Sequence, residues 1–487
     1  MLLRFTFLLS FLIFSYTSMA QVVKITFLQL NDVYEMSAVS GGKLGGFARV
    51  QTLLDSLKKD NPNTFTVLAG DMLSPSAIGT ATYQGEKMAG RQMVDVLNVM
   101  NWDYFIFGNH EFDLKEPDLR KRLDEMKFTL IADNVLDSEN KPFPNTTKQF
   151  KIEVEGISIG ILGITLRNFK TSYANISDPL QAAKKEVERL QKEKTDIIVA
   201  ITHQSIESDV NLAVEVPEID MIMGGHEHEN YHLLRGDHYT PVTKADANAK
   251  TVFIHQLEYR KSSGELKIHS QLVFMDESIP EDPAIKALVQ KWTDIAFASF
   301  EKQGYHPRDI ICISTDVLDG SESAVRSRST GLTDLITAGF ITAYPQADAS
   351  LMNGGSIRID DKLQPGPISE YDIMRISPFG GDISLVSMEG STLIRALEQG
   401  LKNEGTGAFL QYSNILKSGA KWKLGEDEIQ PEKEYRIAIS SYLVEKGDQN
   451  LGFLTYDEGL VKKTDAPKKE FFQVVINQFK KQYSSTN

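Results

Sequence analysis

Residues 107–113, FGNHEFD, follow directly on the apolar run DYFI and set Asn109, His110, Glu111 and Asp113 just past a strand-like segment. Four other segments share that placement: Asp32 in LQLNDVYE, Asp71 in LAGDML, His203 in AITHQ, and His226-Glu227-His228 in MGGHEH. No one of them decides anything. Together they put carboxylate, amide and imidazole groups at the ends of successive strands, where layered α/β folds bind ligands. Their order and residue types describe a box of oxygen and nitrogen donors suited to two divalent metal ions.

Working outward, residues 22–275 alternate apolar strand-like runs with helical stretches. VVKITFLQL, TFTVLAG, DYFIFG, FTLIA, ISIGILGI, DIIVAIT and IDMIMG read as strands. GFARVQTLLDSLKKD, RQMVDVLNVM, EPDLRKRLDEM and SDPLQAAKKEVERLQKEK read as helices between them. Such alternation predicts an α/β layered domain with helices outside a sheet. Residues 283–303 show apolar side chains at helical spacing and end at Gly304, which predicts a helical linker over 283–306. From 307 to 487 a second α/β or α+β unit follows, carrying the loops LMNGGSIRID and SPFGGDISLV, the helix GSTLIRALEQGLK and the strand YRIAISSYL.

Residues 1–20 have the pattern of a signal peptide: Arg4, the apolar run FTFLLSFLIFS, and the small-x-small site Ser18-Met19-Ala20. That run is well below the roughly 20 residues needed to span a bilayer, so a soluble, exported protein is expected, periplasmic or extracellular. The first domain then spans 21–282. Of the 487 residues 41% are hydrophobic, which supports well-formed cores. Cys312 is the single cysteine, so no internal disulfide contributes. A net charge of −14 argues against nucleic-acid polymers as partners, because no basic stripe is there to neutralise phosphates. Small phosphorylated molecules remain compatible, since metals and a few arginines meet their charge.

Hydrolysis of a phosphate ester is slow because an anionic centre repels an anionic nucleophile. Two metals roughly 3.5–4 Å apart neutralise the phosphate oxygens and acidify a bound water. Asp71 is the natural bridging carboxylate; Asn109, His203 and His226 complete one ion, and Asp32 and His228 hold the other. An extended segment through His226, Glu227 and His228 would turn both imidazoles to the same side. His110 need not bind metal; it can stabilise the developing charge or protonate a leaving oxygen, with Asp113 orienting its ring. His232, His238, His255, His269 and His306 match no motif and are expected to be structural.

With GNHEFD and GGHEH as its specific pieces, the chain resembles the calcineurin-like metallophosphoesterases and, more narrowly, the 5′-nucleotidase family. The resemblance implies an N-terminal four-layer α/β/β/α sandwich and a C-terminal nucleotide-specificity domain. It also implies that Asp32, Asp71, Asn109, His203, His226 and His228 occupy metal-ligand positions, with His110 and Asp113 as catalytic dyad. The metals are drawn from zinc, manganese, cobalt and iron. One position departs from the family's Asp-x-His: Tyr34 stands where histidine is usual. Either Asp32, Asp71 and His228 hold that ion alone, or the Tyr34 phenol ligates a harder ion such as ferric iron.

The second half is similar to the family's specificity domain at VRSRSTGLTDL, NGGSIR, PFGG and SYLVEKGDQ. The resemblance implies a base stacked between Phe379 and Tyr442, ribose hydroxyls on Asp448, and ligand oxygens on Arg326 and Arg358, with Arg328 the alternative to Arg326. Asn353 lies in the same loop as Arg358. Asn414, where the family commonly has glycine, is expected to alter the pocket wall. The activity implied is release of phosphate from nucleoside 5′-monophosphates by metal-bound hydroxide. The alternatives are a relative acting on 2′,3′-cyclic nucleotides or nucleotide sugars, and a non-catalytic nucleotide-binding surface protein.

Overall fold

A computed structural model describes residues 21–167, 169 and 171–484; the segment read as a signal peptide lies outside the described residues. In Val22–Leu30, side chains alternate between two interiors. Val23, Ile25 and Phe27 point one way, and Leu28 and Leu30 the other. A strand apolar on both faces has to be covered on both, and this one lies inside a seven-stranded sheet. It runs parallel to Thr64–Leu68, which is followed by parallel Tyr104–Phe105, Thr129–Ile131 and Thr146–Thr147. On its other flank Thr251–Arg260 and Glu265–Phe274 pair antiparallel.

A second, six-stranded sheet runs in the order Tyr231–Arg235, Thr240–Lys244, Met221–Gly225, Ile197–His203, Ile157–Thr165 and Phe150–Val154. Ile159, Ile161, Val199, Ile201, Met221 and Met223 from this sheet meet Val23, Ile25, Phe27 and Val67 from the first. Helices Phe47–Asp60, Arg91–Val99 and Glu116–Glu125 cover one outer face through Leu54, Val94, Leu97, Leu119 and Leu123. Pro179–Lys192 and Ile206–Glu215 cover the other through Val187, Leu190 and Leu212. The result is the four-layer α/β/β/α sandwich.

Helix Pro283–Glu301 starts on an N-cap, Asp282, whose carboxylate accepts from Ala284 N at 3.0 Å and Ile285 N at 2.8 Å. It packs along the first domain, burying Ile285, Val289, Trp292, Ala296 and Phe300 in the core beneath the first sheet. The chain then turns at Gly304, with φ 92°, into the second domain. There a six-stranded mixed sheet has Leu410–Ser413, Ala349–Asn353, Glu434–Ser440, Asp382–Glu389 and Val461–Lys463 as its main path. Helices Gly331–Ala343 and Phe471–Tyr483 cover one face and Gly390–Lys402 the other. Among the described residues no helix is long and apolar enough to cross a membrane.

Two outcomes follow from this packing. Ile201, fully buried between the two sheets, leaves a cavity when cut back. Ile201→Ala should cost about 2–5 kcal/mol, read as a lower urea midpoint at unchanged m-value. His255 is buried, with Nε2 2.8 Å from Gln29 Oε1 and Nδ1 2.8 Å from Ser270 Oγ. Burial pushes its imidazole down to about 3. The unfolded chain takes up that proton below about pH 6.5 and the folded one does not, so stability falls as pH drops from there toward 3. His255→Gln should flatten the acid limb of a stability–pH curve by up to about 1.4 kcal/mol per pH unit.

Candidate active site

Parallel pairing brings the carboxyl ends of the central strands to one edge of the sandwich. Asp32 follows Val22–Leu30, Asp71 follows Thr64–Leu68, and Asn109 follows Tyr104–Phe105. His203 ends Ile197–His203, and His226 and His228 follow Met221–Gly225. Asp32, Asp71, His226 and His228 all take positive φ, at 51°, 57°, 90° and 58°. Such backbone costs of order 1–3 kcal/mol per residue and persists where surrounding contacts over-determine it. Here they do: Asp71 N donates to Glu111 Oε2 at 3.0 Å, and His226 N donates to Asp32 Oδ2 at 2.8 Å. Close approach also fixes two glycines. A Cβ on Gly108 would sit 2.1 Å from Asp71 Oδ1, and one on Gly225 would sit 2.3 Å from Ala69 O.

The cage that results is buried. His203 Nε2 lies 3.2 Å from Asp71 Oδ2 and 3.9 Å from Asp32 Oδ1, and those three residues converge closely enough to hold an ion. His228 Nε2 lies 3.4 Å from Asp32 Oδ1. The His203 and His226 rings are edge to face, with centroids 5.3 Å apart. Burial disfavours ionised Asp71, but His203 and His110 outweigh it and hold the carboxyl well below the usual range. Burial likewise works against charged His203, while Asp71 and Asp32 carry it up to about 9. His226, desolvated and beside His203, is pushed down to about 3 and stays neutral, the form that donates a lone pair. Asn109 Oδ1 is buried without a hydrogen-bond partner. An orphaned amide oxygen beside paired carboxylates and a neutral imidazole is the donor set a divalent cation completes, so the residues present fit such an ion.

Two expectations change in detail. The His226–His228 segment is not extended; with positive φ at both histidines it is a loop, held by Ala247 N donating to His228 O at 3.0 Å. His226 therefore packs on His203, while His228 reaches Asp32 and Tyr34. Asn414 takes φ 63°, which asparagine tolerates much as glycine does, and it lies outside the residues lining the cavity described below. Tyr34 points into the cage: its hydroxyl is 2.9 Å from His228 Nε2, 3.3 Å from Asp71 Oδ2 and 3.4 Å from Asp32 Oδ1. Burial, then the two carboxylates, push this phenol well above its ordinary range and keep it protonated.

His110 and Asp113 share a short 3₁₀ turn, and Nδ1 of the ring lies 2.6 Å from Asp113 Oδ2. Its Nε2 faces the second domain, 3.4 Å from Arg358 Nη1. Asp113 also lines a cavity of about 430 Å³ formed otherwise by the second domain, including Asn353, Arg358, Phe379, Tyr442 and Asp448. Phe379 is 60% exposed and Tyr442 49% exposed, unusual for large aromatic side chains without a partner. Asn353 Nδ2 donates to Asp448 Oδ2 at 2.9 Å. Arg326 is not among the cavity's lining; it is partly buried and paired with Glu322 at 2.5 Å. Arg328 is exposed, 3.6 Å from Asp319.

Several supporting residues were given no role from the sequence. Glu111, buried inside GNHEFD, accepts from the backbone N–H groups of Asp71, Met72, Leu73 and Gly108 at 2.7–3.1 Å, joining the loops of Asp71 and Asn109. Its carboxyl is pushed up to about 7 by burial and Asp71. Lys244, fully buried, lies 3.0 Å from Asp209 Oδ2, donates to Gly225 O at 2.7 Å and also bonds Gln204 O, tying the ends of two histidine-bearing strands. Asn248 Oδ1 accepts from Tyr34 N at 3.0 Å and Glu35 N at 3.2 Å. The position of Glu111 inside a recognisable motif was a signal; Lys244 and Asn248 offered none.

The family model for calcineurin-like phosphoesterases matches residues 25–230, and that for the 5′-nucleotidase C-terminal domain matches residues 311–455. Human 5′-nucleotidase is 27% identical over 450 residues, covering 80% of this chain and 75% of its own. The 5′-nucleotidase of Vibrio cholerae serotype O1 is 26% identical over 491 residues, covering 87% and 85%. Among solved structures, a 5′-nucleotidase precursor from Thermus thermophilus aligns with a TM-score of 0.75 at 22% identity, covering 94% of this chain and 97% of that one, a likeness of fold. Matched domains in this order, one carrying the donor cage and the other the cavity, define a phosphoric monoester hydrolase of the calcineurin-like class. Within that class the chain belongs to the 5′-nucleotidase family.

Glu111→Gln keeps the shape but puts an amide N–H₂ where backbone donors point. Bound metal and kcat should both drop about 10–100-fold, measured by elemental analysis and phosphate release.

Proposed function

We propose that the chain is exported and releases phosphate from nucleoside 5′-monophosphates. The observation that carries this reading is the continuity of two sites: the aromatic-lined cavity opens onto Asp113, and Arg358 reaches the ring of His110. A cavity of about 430 Å³ lies within the ~300–1,000 Å³ typical of small-ligand sites. The names of the relatives, 5′-nucleotidases from human and Vibrio cholerae, support the same substrate class.

In this reading Asp71, Asn109, His203 and His226 would hold one ion, and Asp71, Asp32 and His228 the other. When bound, such a pair offsets phosphate charge and acidifies a water. Phe379 and Tyr442 hold the base by its faces, and Asp448, steadied by Asn353, accepts from ribose hydroxyls. Arg358 sets its guanidinium fork on phosphate oxygens. Asp113 fixes the His110 ring so that a proton on Nε2 is placed for the departing 5′ oxygen. Arg326 sits on the cage side of the boundary, balanced by Glu322, and meets phosphate oxygens rather than the nucleoside. Tyr34 acts as a neutral hydroxyl beside the cage, its phenol kept protonated by burial and by Asp71 and Asp32. Asp32, Asp71 and His228 would then hold their ion without it.

Phosphate release should be strong with AMP or another 5′-monophosphate and abolished by a chelator, returning when manganese, cobalt or zinc is added. Strong hydrolysis of 2′,3′-cyclic nucleotides with none of any 5′-monophosphate would overturn the reading. His110→Ala should lower kcat by about 10²–10⁴ with metal content unchanged. Tyr34→His should tighten the first ion without loss of turnover; collapse of turnover in that variant would instead implicate the phenol.

A further inference from the structure

We propose that Asp360 of the second domain is a positioning residue for His228 of the first, so that metal retention is linked to docking of the two domains. The proposal rests on the assignment of His228 as a metal ligand made above. An imidazole that binds metal through one nitrogen must carry its proton on the other, and that N–H is held by an acceptor which sets the ring plane. His203 finds its acceptor within its own domain: Nδ1 lies 2.7 Å from Ala69 O while Nε2 faces Asp71.

His228 is arranged differently. Its Nε2 faces Asp32 at 3.4 Å, and its Nδ1 turns toward the second domain. There it meets Asp360 Oδ2 at 3.4 Å and Glu322 Oε2 at 3.6 Å. That Nδ1 is buried and makes no hydrogen bond as it stands. A cation on Nε2 forces the proton onto Nδ1, and the acceptor that awaits it belongs to the other domain.

Asp360 is held firmly enough for the task. Its Oδ1 accepts from Glu322 N at 2.9 Å, and Lys250 Nζ donates to its carbonyl at 3.1 Å and approaches Oδ2 at 3.4 Å. Its neighbour Asp361 clamps the first domain, accepting from Ser40 N at 2.8 Å and Ser40 Oγ at 2.5 Å while pairing with Arg375 at 3.1 Å. Lys250 and Ser40 come from the first domain, and Glu322 and Arg375 from the second. A cavity of about 500 Å³ on this side is lined by His228, Lys250, Ser40, Asp360 and Asp361. A polar boundary with open space beside it is one that separates more readily than a fused apolar one. Linkage is reciprocal: whatever factor docking adds to metal affinity, metal adds to docking.

The test uses the full chain and Mn²⁺ as probe. Calorimetric titration of Asp360→Asn should show one of two Mn²⁺ steps weakened about 10–100-fold. A donor–acceptor dye pair, one on each domain, should report Mn²⁺-dependent shortening in the parent and a smaller change in the variant. Ser40→Ala loosens the clamp without touching His228 and should weaken Mn²⁺ in step with the docked fraction; it carries the test if Asp360→Asn does not fold. Mn²⁺ affinity within twofold of the parent in folded Asp360→Asn, while Asp71→Ala abolishes binding, overturns the proposal and leaves the metal centre standing. A parent that binds no Mn²⁺ overturns both.

Discussion

Asp32 and Asp71 are buried carboxylates that share close neighbours, and the rest of the site is arranged around that repulsion. Removing such charges from water costs several kcal/mol each unless opposite charge and donors replace the solvent. His203 stands against both, His228 against Asp32, and backbone N–H groups from His110 and His226 fill other lone pairs. Tyr34 contributes a hydroxyl at 3.3 Å from Asp71 Oδ2. The protein thus holds paired carboxylates in a dry place, with unpartnered Asn109 Oδ1 beside them. Chemistry and stability draw on the same arrangement.

The division between domains follows from it. The sandwich can build a dense, fully braced cage because its ligand loops leave parallel strands at one edge. Recognition of a ligand body needs exposed apolar surface, which sits poorly beside buried charge. The second domain presents such surface on a mixed sheet of its own, with Phe379 and Tyr442 open to solvent. Arg358 and Asp113 are where the two meet.

Much of this was legible along the chain because polar ligand residues break apolar strands at their ends. Asp71, Asn109 and His203 are where that rule places them. The double-histidine loop was misread because period-two alternation holds for extended backbone, and hydrogen bonds from His226 N to Asp32 and from Ala247 N to His228 O bend it instead. Glu265–Phe274 went unnamed since its outward polar residues dilute the apolar signal. Helix Pro283–Glu301 has linker-like position but core-like packing, a distinction that only its neighbours reveal. Lys244, Asp360 and Asp361 look like ordinary surface charges in a row of letters. Their burial depends on segments that lie far away in sequence.

Strand Val22–Leu30 lies inside the first sheet, yet its antiparallel neighbour joins Val22 to Arg260 and Gln29 to Phe253. The opening strand of the described chain must therefore wait for more than two hundred residues of polypeptide before one whole side of its ladder can form. Long-range pairing of this kind makes assembly slow, because a large loop closes before any contact rewards it. An apolar strand left unpaired for so long is a template for neighbouring chains. During synthesis, shielding that segment is the demand this topology places on the cell.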